Sequence, residues 1–316
     1  MQRLLLTIVL LFVLLSGCDY VKPAPAPAVA QAAFGTFGVD TAQMDSSVKP
    51  GDDFFKYVNG KWLSTFKIPA DKASYGVFDA LVDKSESDVH ALLDELMKTQ
   101  PAPGSVQKKV VDFYSSWMDQ SAIETRGVEP LKADLDAIGK AKTKADIVKL
   151  MGNFDYSSPA SLYIFPDPAD PTRYTVGITQ SGLGMPNRDY YLNKGGHFDT
   201  YRSAYKTYVT KIFELIGDGN PSASADAVIA LETKLATVQW KPERQRDVKA
   251  TNNPVDRAGL KKMIPAIDWD SMLEVAGLGN AQHFVVNETT ALRDGLKMLD
   301  TQPVDTWKKY LVFHIA

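Results

Sequence analysis

The side chains that could carry out catalysis are few and widely spaced. The four histidines are His90, His197, His283 and His314; none is followed by glutamate, and no two lie within one helical turn. A zinc peptidase helix needs His-Glu-x-x-His, which places two metal ligands and a general base on one helix face. No Gly-x-Ser-x-Gly nucleophile turn occurs either. The sequence therefore predicts no catalytic residue and no metal site in this chain.

The single cysteine, Cys18, follows a secretory signal. Arg3 precedes an apolar run over residues 4–15, which is too short to span a bilayer. The residues Leu15-Ser16-Gly17-Cys18 resemble the bacterial lipobox, in which the cysteine is acylated; an ordinary signal peptide with an incidental cysteine is the alternative. We therefore predict a lipoprotein signal peptide over residues 1–18 and a lipid anchor at Cys18. The chain would be exported to the periplasmic side of the bacterial cell envelope, in either membrane.

Composition separates a tether from a globular region. Residues 19–33 are rich in proline and alanine and predict an extended tether, because such a segment has little apolar surface to bury. The whole chain of 316 residues is 45% hydrophobic with a net charge of -3. It therefore has no basic field of the kind that nucleic-acid binding requires. With no second thiol it can form no internal disulfide.

Apolar residues recur with helical spacing through most of the chain. A stripe from Val89 to Met97 predicts a helix capped by Ser85, and similar stripes run through residues 106–118, 147–154 (after Thr143), 198–215 and 228–238. We expect these stripes to be core rather than ligand sites. Residues 161–165 and 174–178 are β-rich and flank a proline-containing loop, which predicts one β-hairpin. The pattern indicates a mainly α protein.

Several motifs resemble those of the neprilysin-type zinc endopeptidase family from residue 34 onward. They lie at residues 50–63, 68–71, 75–78, 114–119, 182–192, 232–236, 243–247 and 306–311. The resemblance implies that residues 34–316 are an incomplete N-terminal region of this family. The implied fold is a mostly helical, lid-type domain with one small β-hairpin, truncated before the thermolysin-like catalytic lobe.

The same resemblance implies that the chain is part of an extracytoplasmic zinc metalloendopeptidase that cleaves oligopeptides. Zinc belongs to the complete family member and not to this chain, whose missing partner is the C-terminal catalytic lobe. We therefore expect this chain alone to be catalytically silent. Mammalian family members carry arginines where Ser74 and Val82 stand here. The absence of these arginines makes internal cleavage a better expectation than removal of C-terminal dipeptides.

The most distinctive polar motif residues are assigned structural roles. Acidic residues at a helix start stabilise its positive end, and an arginine beside an aspartate suggests a buried structural ion pair. The residues assigned to structural motifs, including Asn59 and Trp62 beside these acids and arginines, are Asp52, Asp53, Asn59, Trp62, Arg188, Asp189, Arg246 and Asp247.

The alternative hypothesis is a stand-alone lipoprotein that binds peptides or partners without catalysis. The apolar end of the chain favours the incomplete peptidase, because a self-sufficient domain rarely ends in this way. If the chain is incomplete, the residues that would contact the catalytic lobe should be exposed. The residues predicted to be exposed are Phe54, Phe55, Tyr57 and Trp62 near the start, and Trp307, Tyr310, Leu311 and Phe313 at the end.

Overall fold

The computed structural model describes residues 38–72 and 74–316, which form two compact units divided after Ser115. The predicted signal peptide, Cys18, the tether and residues 34–37 lie outside the described residues. No helix in the described part of the chain combines the length and apolar character needed to cross a membrane.

The first unit contains a 3-10 turn (Thr41–Gln43) and helices α1 (Phe54–Thr65), α2 (Val77–Lys98) and most of α3 (Val106–Trp117). Helix α2 begins after Gly76, whose N–H donates to Asp79 Oδ2 at 2.7 Å. The prediction that Ser85 caps this helix is wrong, because Ser85 lies inside it. A helix was correctly predicted here. It begins at Val77, before the apolar stripe, because the Asp79 carboxylate accepts the hydrogen bond from the Gly76 N–H at the helix start.

Apolar side chains of the first unit remain exposed. Phe54 and Phe55 are exposed as predicted, whereas Tyr57 and Trp62 are half-buried. The prediction that the stripe over residues 106–118 is core is wrong, since Val106, Phe113, Trp117 and Met118 are all exposed. Within residues 38–72 and 74–115, Gly60 is the only residue classed as buried. The described part of this unit therefore has helical amphipathicity without a hydrophobic core.

The second unit contains the remaining helices and all four strands. Its helices are α4 (Gln120–Arg126), α5 (Lys132–Lys140), α6 (Lys144–Gly152), α7 (Asp189–Leu192), α8 (His197–Leu215), α9 (Pro221–Val238), α10 (Pro242–Gln245), α11 (Arg257–Met263), α12 (Trp269–Val275), α13 (Thr289–Thr301) and α14 (Val304–Ile315). Its strands are β1 (Ala160–Asp167), β2 (Asp170–Gln180), β3 (Asn253–Asp256) and β4 (His283–Val286). Thr143 caps α6 as expected, and its hydroxyl accepts from Asp146 N.

The predicted hairpin is confirmed, and it belongs to a larger sheet. Strands β1 and β2 are antiparallel, with Ala160 opposite Gln180. Strand β4 pairs in parallel with β2, and β3 pairs with β4 in the antiparallel sense, so the sheet order is β1-β2-β4-β3. The two short strands were not predicted from the sequence, because four residues give little periodicity.

The C-terminal helix α14 completes the core of the second unit. The prediction that its large side chains are exposed is wrong, because Trp307, Tyr310, Leu311 and Phe313 are all buried. Helix α14 packs against α9, and its apolar face joins the hydrophobic clusters formed by the other helices and the sheet. Burial of each such side chain contributes roughly 1.5–3 kcal/mol. The apolar end of the sequence is thus explained by internal packing.

Candidate functional site

The most unusual polar residue of the second unit is Glu232, in the middle of α9. Its side chain shares the apolar face of that helix with Val228, Leu231 and Leu235, following the spacing of three and four residues. Glu232 is 0% exposed. A carboxylate in such a place is tolerated only when donors surround it.

Three side chains provide these donors. The hydroxyls of Tyr191 and Tyr205 each lie 2.8 Å from Glu232 Oε2. His314 Nε2 lies 2.8 Å from Glu232 Oε1. An ionised carboxylate only accepts hydrogen bonds, so His314 donates from Nε2 in that state. We call Tyr191, Tyr205, Glu232 and His314 the Glu232 cluster; its members come from α7, α8, α9 and α14.

A glycine-rich turn lies against this cluster. Met185 N donates to Tyr191 Oη at 2.9 Å, and Tyr310 Oη donates to the Gly182 carbonyl at 3.1 Å. A Cβ atom at Gly184 would lie 1.9 Å from Tyr205 Oη, so a larger residue does not fit there. Three motifs, at residues 182–192, 232–236 and the end of the chain, therefore meet around one buried carboxylate.

Burial sets the protonation state of the surrounding phenols. It raises the pKa of Tyr191 and of Tyr205 far above the ordinary value, and the nearby Glu232 carboxylate raises both further. Burial likewise raises the pKa of Tyr310. The three phenols therefore stay neutral, and Tyr191 and Tyr205 act as permanent donors to the carboxylate. This chemistry suits a structural anchor and provides no open position for a substrate.

A second buried carboxylate, Glu288, accepts from Thr179 Oγ1 at 2.9 Å, from Gln180 N at 2.8 Å and from Gln245 Nε2 at 3.3 Å. It thus connects β2 to the motif at residues 243–247. The neighbouring Arg244 places its guanidinium 3.5 Å from the centre of the Trp240 ring. The residues of this motif that contact other elements in these ways are therefore Gln245 and Arg244, neither of which was predicted from the sequence.

The predicted arginine–aspartate ion pairs do not form among the described residues. Arg188 Nε donates to the Ala236 carbonyl at 3.1 Å, and Asp189 begins α7. Arg246 and Asp247 are exposed, and Asp247 Oδ1 accepts from the N–H groups that follow it. Arg188 and Asp247 instead use backbone partners: a carbonyl for the guanidinium and N–H groups for the carboxylate.

The assigned residues of the first unit have local roles. Asp53 caps α1 by accepting from Lys56 N at 2.9 Å, whereas Asp52 is exposed. Asn59 Nδ2 donates to the Phe55 carbonyl at 3.0 Å. Trp62 stacks on Phe66, with ring centres 4.7 Å apart. Asn59 and Trp62 also line a cleft of about 410 Å³ in this unit.

The described residues of this chain do not fit the family's zinc. His314 is hydrogen-bonded to Glu232, and the exposed His90 lies 3.3 Å from a single carboxylate, that of Asp94. The described residues contain no group of three histidine, cysteine, aspartate or glutamate side chains that could hold a metal ion. No catalytic step through zinc can therefore be assigned to these residues.

Known proteins share both the sequence pattern and this fold. The mouse endothelin-converting enzyme-like 1 is 25% identical over 87% of this chain and 38% of its own length. Human endothelin-converting enzyme 1 is 23% identical over 100% of this chain and 43% of its own length. This chain thus spans about two fifths of the length of these relatives.

Solved structures agree with these matches. Mycobacterium tuberculosis zinc metalloprotease Zmp1, in complex with an inhibitor, superposes with a TM-score of 0.78 at 30% identity, over 88% of this chain and 43% of Zmp1. PepO from Lactobacillus rhamnosis shares the fold, with a TM-score of 0.63 at 16% identity over 84% of this chain and 43% of PepO. The sequence model of peptidase family M13 matches residues 50–316. The chain therefore belongs to peptidase family M13, the neprilysin-type family, and has the mainly helical fold of its N-terminal region.

Proposed function

We propose that this chain is the N-terminal part of an extracytoplasmic zinc metalloendopeptidase that cleaves oligopeptides, and that it is inactive without a separate catalytic part. The match to family M13 over residues 50–316, in a chain about two fifths the length of its relatives, carries this proposal. The sequence supports inactivity, because no histidine is followed by glutamate and the zinc helix motif is missing.

The test compares this chain alone with the same chain joined to the C-terminal part of Zmp1, meaning the portion that follows the segment matched here. The joined protein should bind zinc in a ratio near one and cleave a quenched peptide in a chelator-sensitive manner. The chain alone should do neither. Zinc in a ratio near one in the chain alone, with chelator-sensitive cleavage, would contradict the proposal.

The proposed location depends on Cys18 and on the lipobox around it. A lipid anchor there would hold the protein at the membrane through the tether over residues 19–33. In detergent partitioning, wild type should enter the detergent phase and Cys18→Ser should stay aqueous. If both stay aqueous, the protein is not anchored in this way.

Substrate choice is the finest part of the proposal. Ser74 and Val82 stand where arginines of mammalian relatives could hold a substrate's terminal carboxylate, and both residues are exposed here. Neither side chain can pair with a carboxylate as a guanidinium does. The joined protein should therefore cleave peptides with free and amidated C-termini at similar rates. A strong preference for the free carboxylate would contradict this expectation.

A further inference from the structure

Strand β1 forms one edge of the four-stranded sheet. Within the described residues it pairs with β2 on one side and with no strand on the other. Successive residues of an antiparallel strand direct their backbone groups alternately to its two sides. Ser181 N donates to the Pro159 carbonyl at 3.1 Å, which fixes the phase of this alternation. The N–H and carbonyl groups of Leu162 and Ile164 therefore point away from β2. We call this outward-facing backbone of Leu162 and Ile164 the β1 edge.

The β1 edge is short, because it is closed at both ends. The N–H of Ala160, the preceding outward group, donates to Ser158 Oγ at 3.2 Å. The following outward residue, Pro166, has no N–H to offer. Proline on an edge strand discourages two sheets from pairing edge to edge. An extended peptide of a few residues, however, needs only the groups of Leu162 and Ile164.

The side chains next to the β1 edge leave room for such a peptide. The ring of Tyr163 lies over Gly177 of β2, where a Cβ atom would overlap it. Its Oη accepts from Asn287 Nδ2 at 2.9 Å, so the ring extends across β2 and away from the edge. On the opposite face of the strand, Ile164 is 58% exposed. An apolar side chain of an added strand could pack against Ile164.

A cavity of about 200 Å³ opens beside the β1 edge. It lies between Leu162 and the loop that joins α6 to β1. Among the described residues that line it, Asp155 is the only charged one, and Asp155 belongs to none of their ion pairs. Phe154, also in the lining, is 63% exposed. A carboxylate beside an exposed aromatic ring fits a guanidinium, which pairs with the one and stacks on the other.

We infer that the β1 edge binds an oligopeptide substrate as an added strand, with an arginine side chain of the peptide in the adjoining cavity. This inference rests on the proposed function and names a substrate-binding surface within the second unit. Backbone hydrogen bonds supply affinity for extended peptides in general, and the cavity supplies the preference for arginine. A second copy of the chain fits less well, because it would bring another Pro166 and another Asp155 to the same edge.

The experiment measures the fluorescence anisotropy of a labelled hexapeptide mixed with the complete chain. The peptide has blocked ends and alternates valine and threonine after one arginine. Two isomers carry N-methyl groups on alternate amides, so that one isomer has lost the N–H groups that face β1 and the other has lost those that face away. One isomer should bind like the parent peptide and the other at least fivefold more weakly. Equal binding by the two isomers would overturn the inference.

Two variants of one residue test the protein side. Ile164→Pro removes an outward N–H at an edge position that tolerates proline, whereas Ile164→Ala keeps the N–H and removes only side-chain area. We expect Ile164→Pro to weaken binding at least fivefold and Ile164→Ala by less than about threefold. Circular dichroism and thermal unfolding check that both variants fold. Equal binding by the two variants would contradict strand addition.

The cavity is tested by removing its charge. Asp155→Asn should weaken binding of the arginine peptide about twofold to fivefold and leave unchanged a peptide with glutamine in place of arginine. Asp305→Asn, at an exposed aspartate of α14 outside the cavity lining, is the control and should change neither. An unchanged affinity in Asp155→Asn would overturn the assignment of arginine to the cavity.

Two further outcomes count against the inference as a whole. An absence of wild-type binding at millimolar peptide would overturn it. Self-association of the chain that is lost in Ile164→Pro would also overturn it, since the β1 edge would then belong to a second copy. The binding measurements need no zinc and no catalytic part. The proposed function fails separately, when the joined protein takes up no zinc.

Discussion

Helices α2 and α9 have similar amphipathic patterns and opposite environments. The apolar face of α2 is exposed, whereas Val228, Leu231 and Leu235 on α9 are fully buried. Each helix also carries carboxylates: those of α2 are exposed or half-buried, and Glu232 of α9 is enclosed by three donors. Periodicity therefore predicts that a helix has an apolar face. It does not show whether another part of the same chain packs against that face.

The largest expected difference between these helices is in amide exchange. Opening of α2 exposes little additional apolar surface, whereas α9 and α14 open only when the core of the second unit opens. Amides of α9 and α14 should therefore exchange on the order of a thousandfold more slowly than those of α2. Hydrogen exchange with mass spectrometry measures this directly. Similar protection in all three helices would show that the first unit has a stable core of its own.

Matched phenylalanines should reveal the same contrast in stability. Phe213 on α8 is 1% exposed and Phe78 on α2 is 79% exposed. Phe213→Ala leaves a cavity and should lower the free energy of unfolding by about 3–5 kcal/mol. Phe78→Ala should change it by less than about 0.5 kcal/mol. Urea denaturation of both variants measures the two changes in the free energy of unfolding. A comparable loss in Phe78→Ala would contradict the exposure of this side chain on α2.

The Glu232 cluster can be tested by removing only its charge. Glu232→Gln keeps the shape but weakens three charge-assisted hydrogen bonds, so we expect a loss of about 1.5–3 kcal/mol. Glu214→Gln, on exposed α8 surface beside Lys211, is the control and should cost less than about 1 kcal/mol. Equal effects in thermal or urea unfolding would mean that the cluster does not hold its helices together.

Alkaline pH should destabilise the second unit through its buried phenols. The pKa values of Tyr191 and Tyr205 are raised in the folded state, so above pH 10 the unfolded chain loses protons that the folded chain keeps. The free energy of unfolding should then fall with a slope that grows through pH 10 and approaches about 1.4 kcal/mol per pH unit for each such tyrosine. Urea midpoints between pH 9 and 11 measure this slope. Tyr191→Phe should reduce it by one tyrosine's share, and an unchanged slope would contradict this explanation.

Local signals in the sequence identified most elements correctly. Thr143 caps α6 through its own side chain, and the β-rich segments beside residues 167–171 form the hairpin as predicted. Strands β3 and β4 were missed because their pairing depends on residues distant in the chain, which no local pattern reveals. The start of α2 was misplaced because Asp79, rather than Ser85, satisfies the backbone at the helix start.

The polar clusters were harder to predict. Glu232 does have a sequence signal, since it occupies an apolar position between Leu231 and Leu235, where a solvated glutamate would not be expected. Its partners, however, come from helices that only the folded structure brings together. The burial of Trp307 and Phe313 was missed for the same reason. An apolar run has the same sequence pattern whether it packs within its own chain or against another protein.

The parallel pairing of β2 with β4 has a kinetic consequence. Glu288, two residues after the end of β4, accepts a hydrogen bond from Gln180 N at the end of β2, 108 positions earlier in the chain. The β1–β2 hairpin can form as soon as residue 180 is available, but the central pair of the sheet must wait for a long loop to close. During synthesis from the N-terminus, strand β2 therefore has an unpaired edge until residues 283–288 follow. An unpaired strand edge pairs readily with other chains, so aggregation of the second unit should be most favoured during this interval.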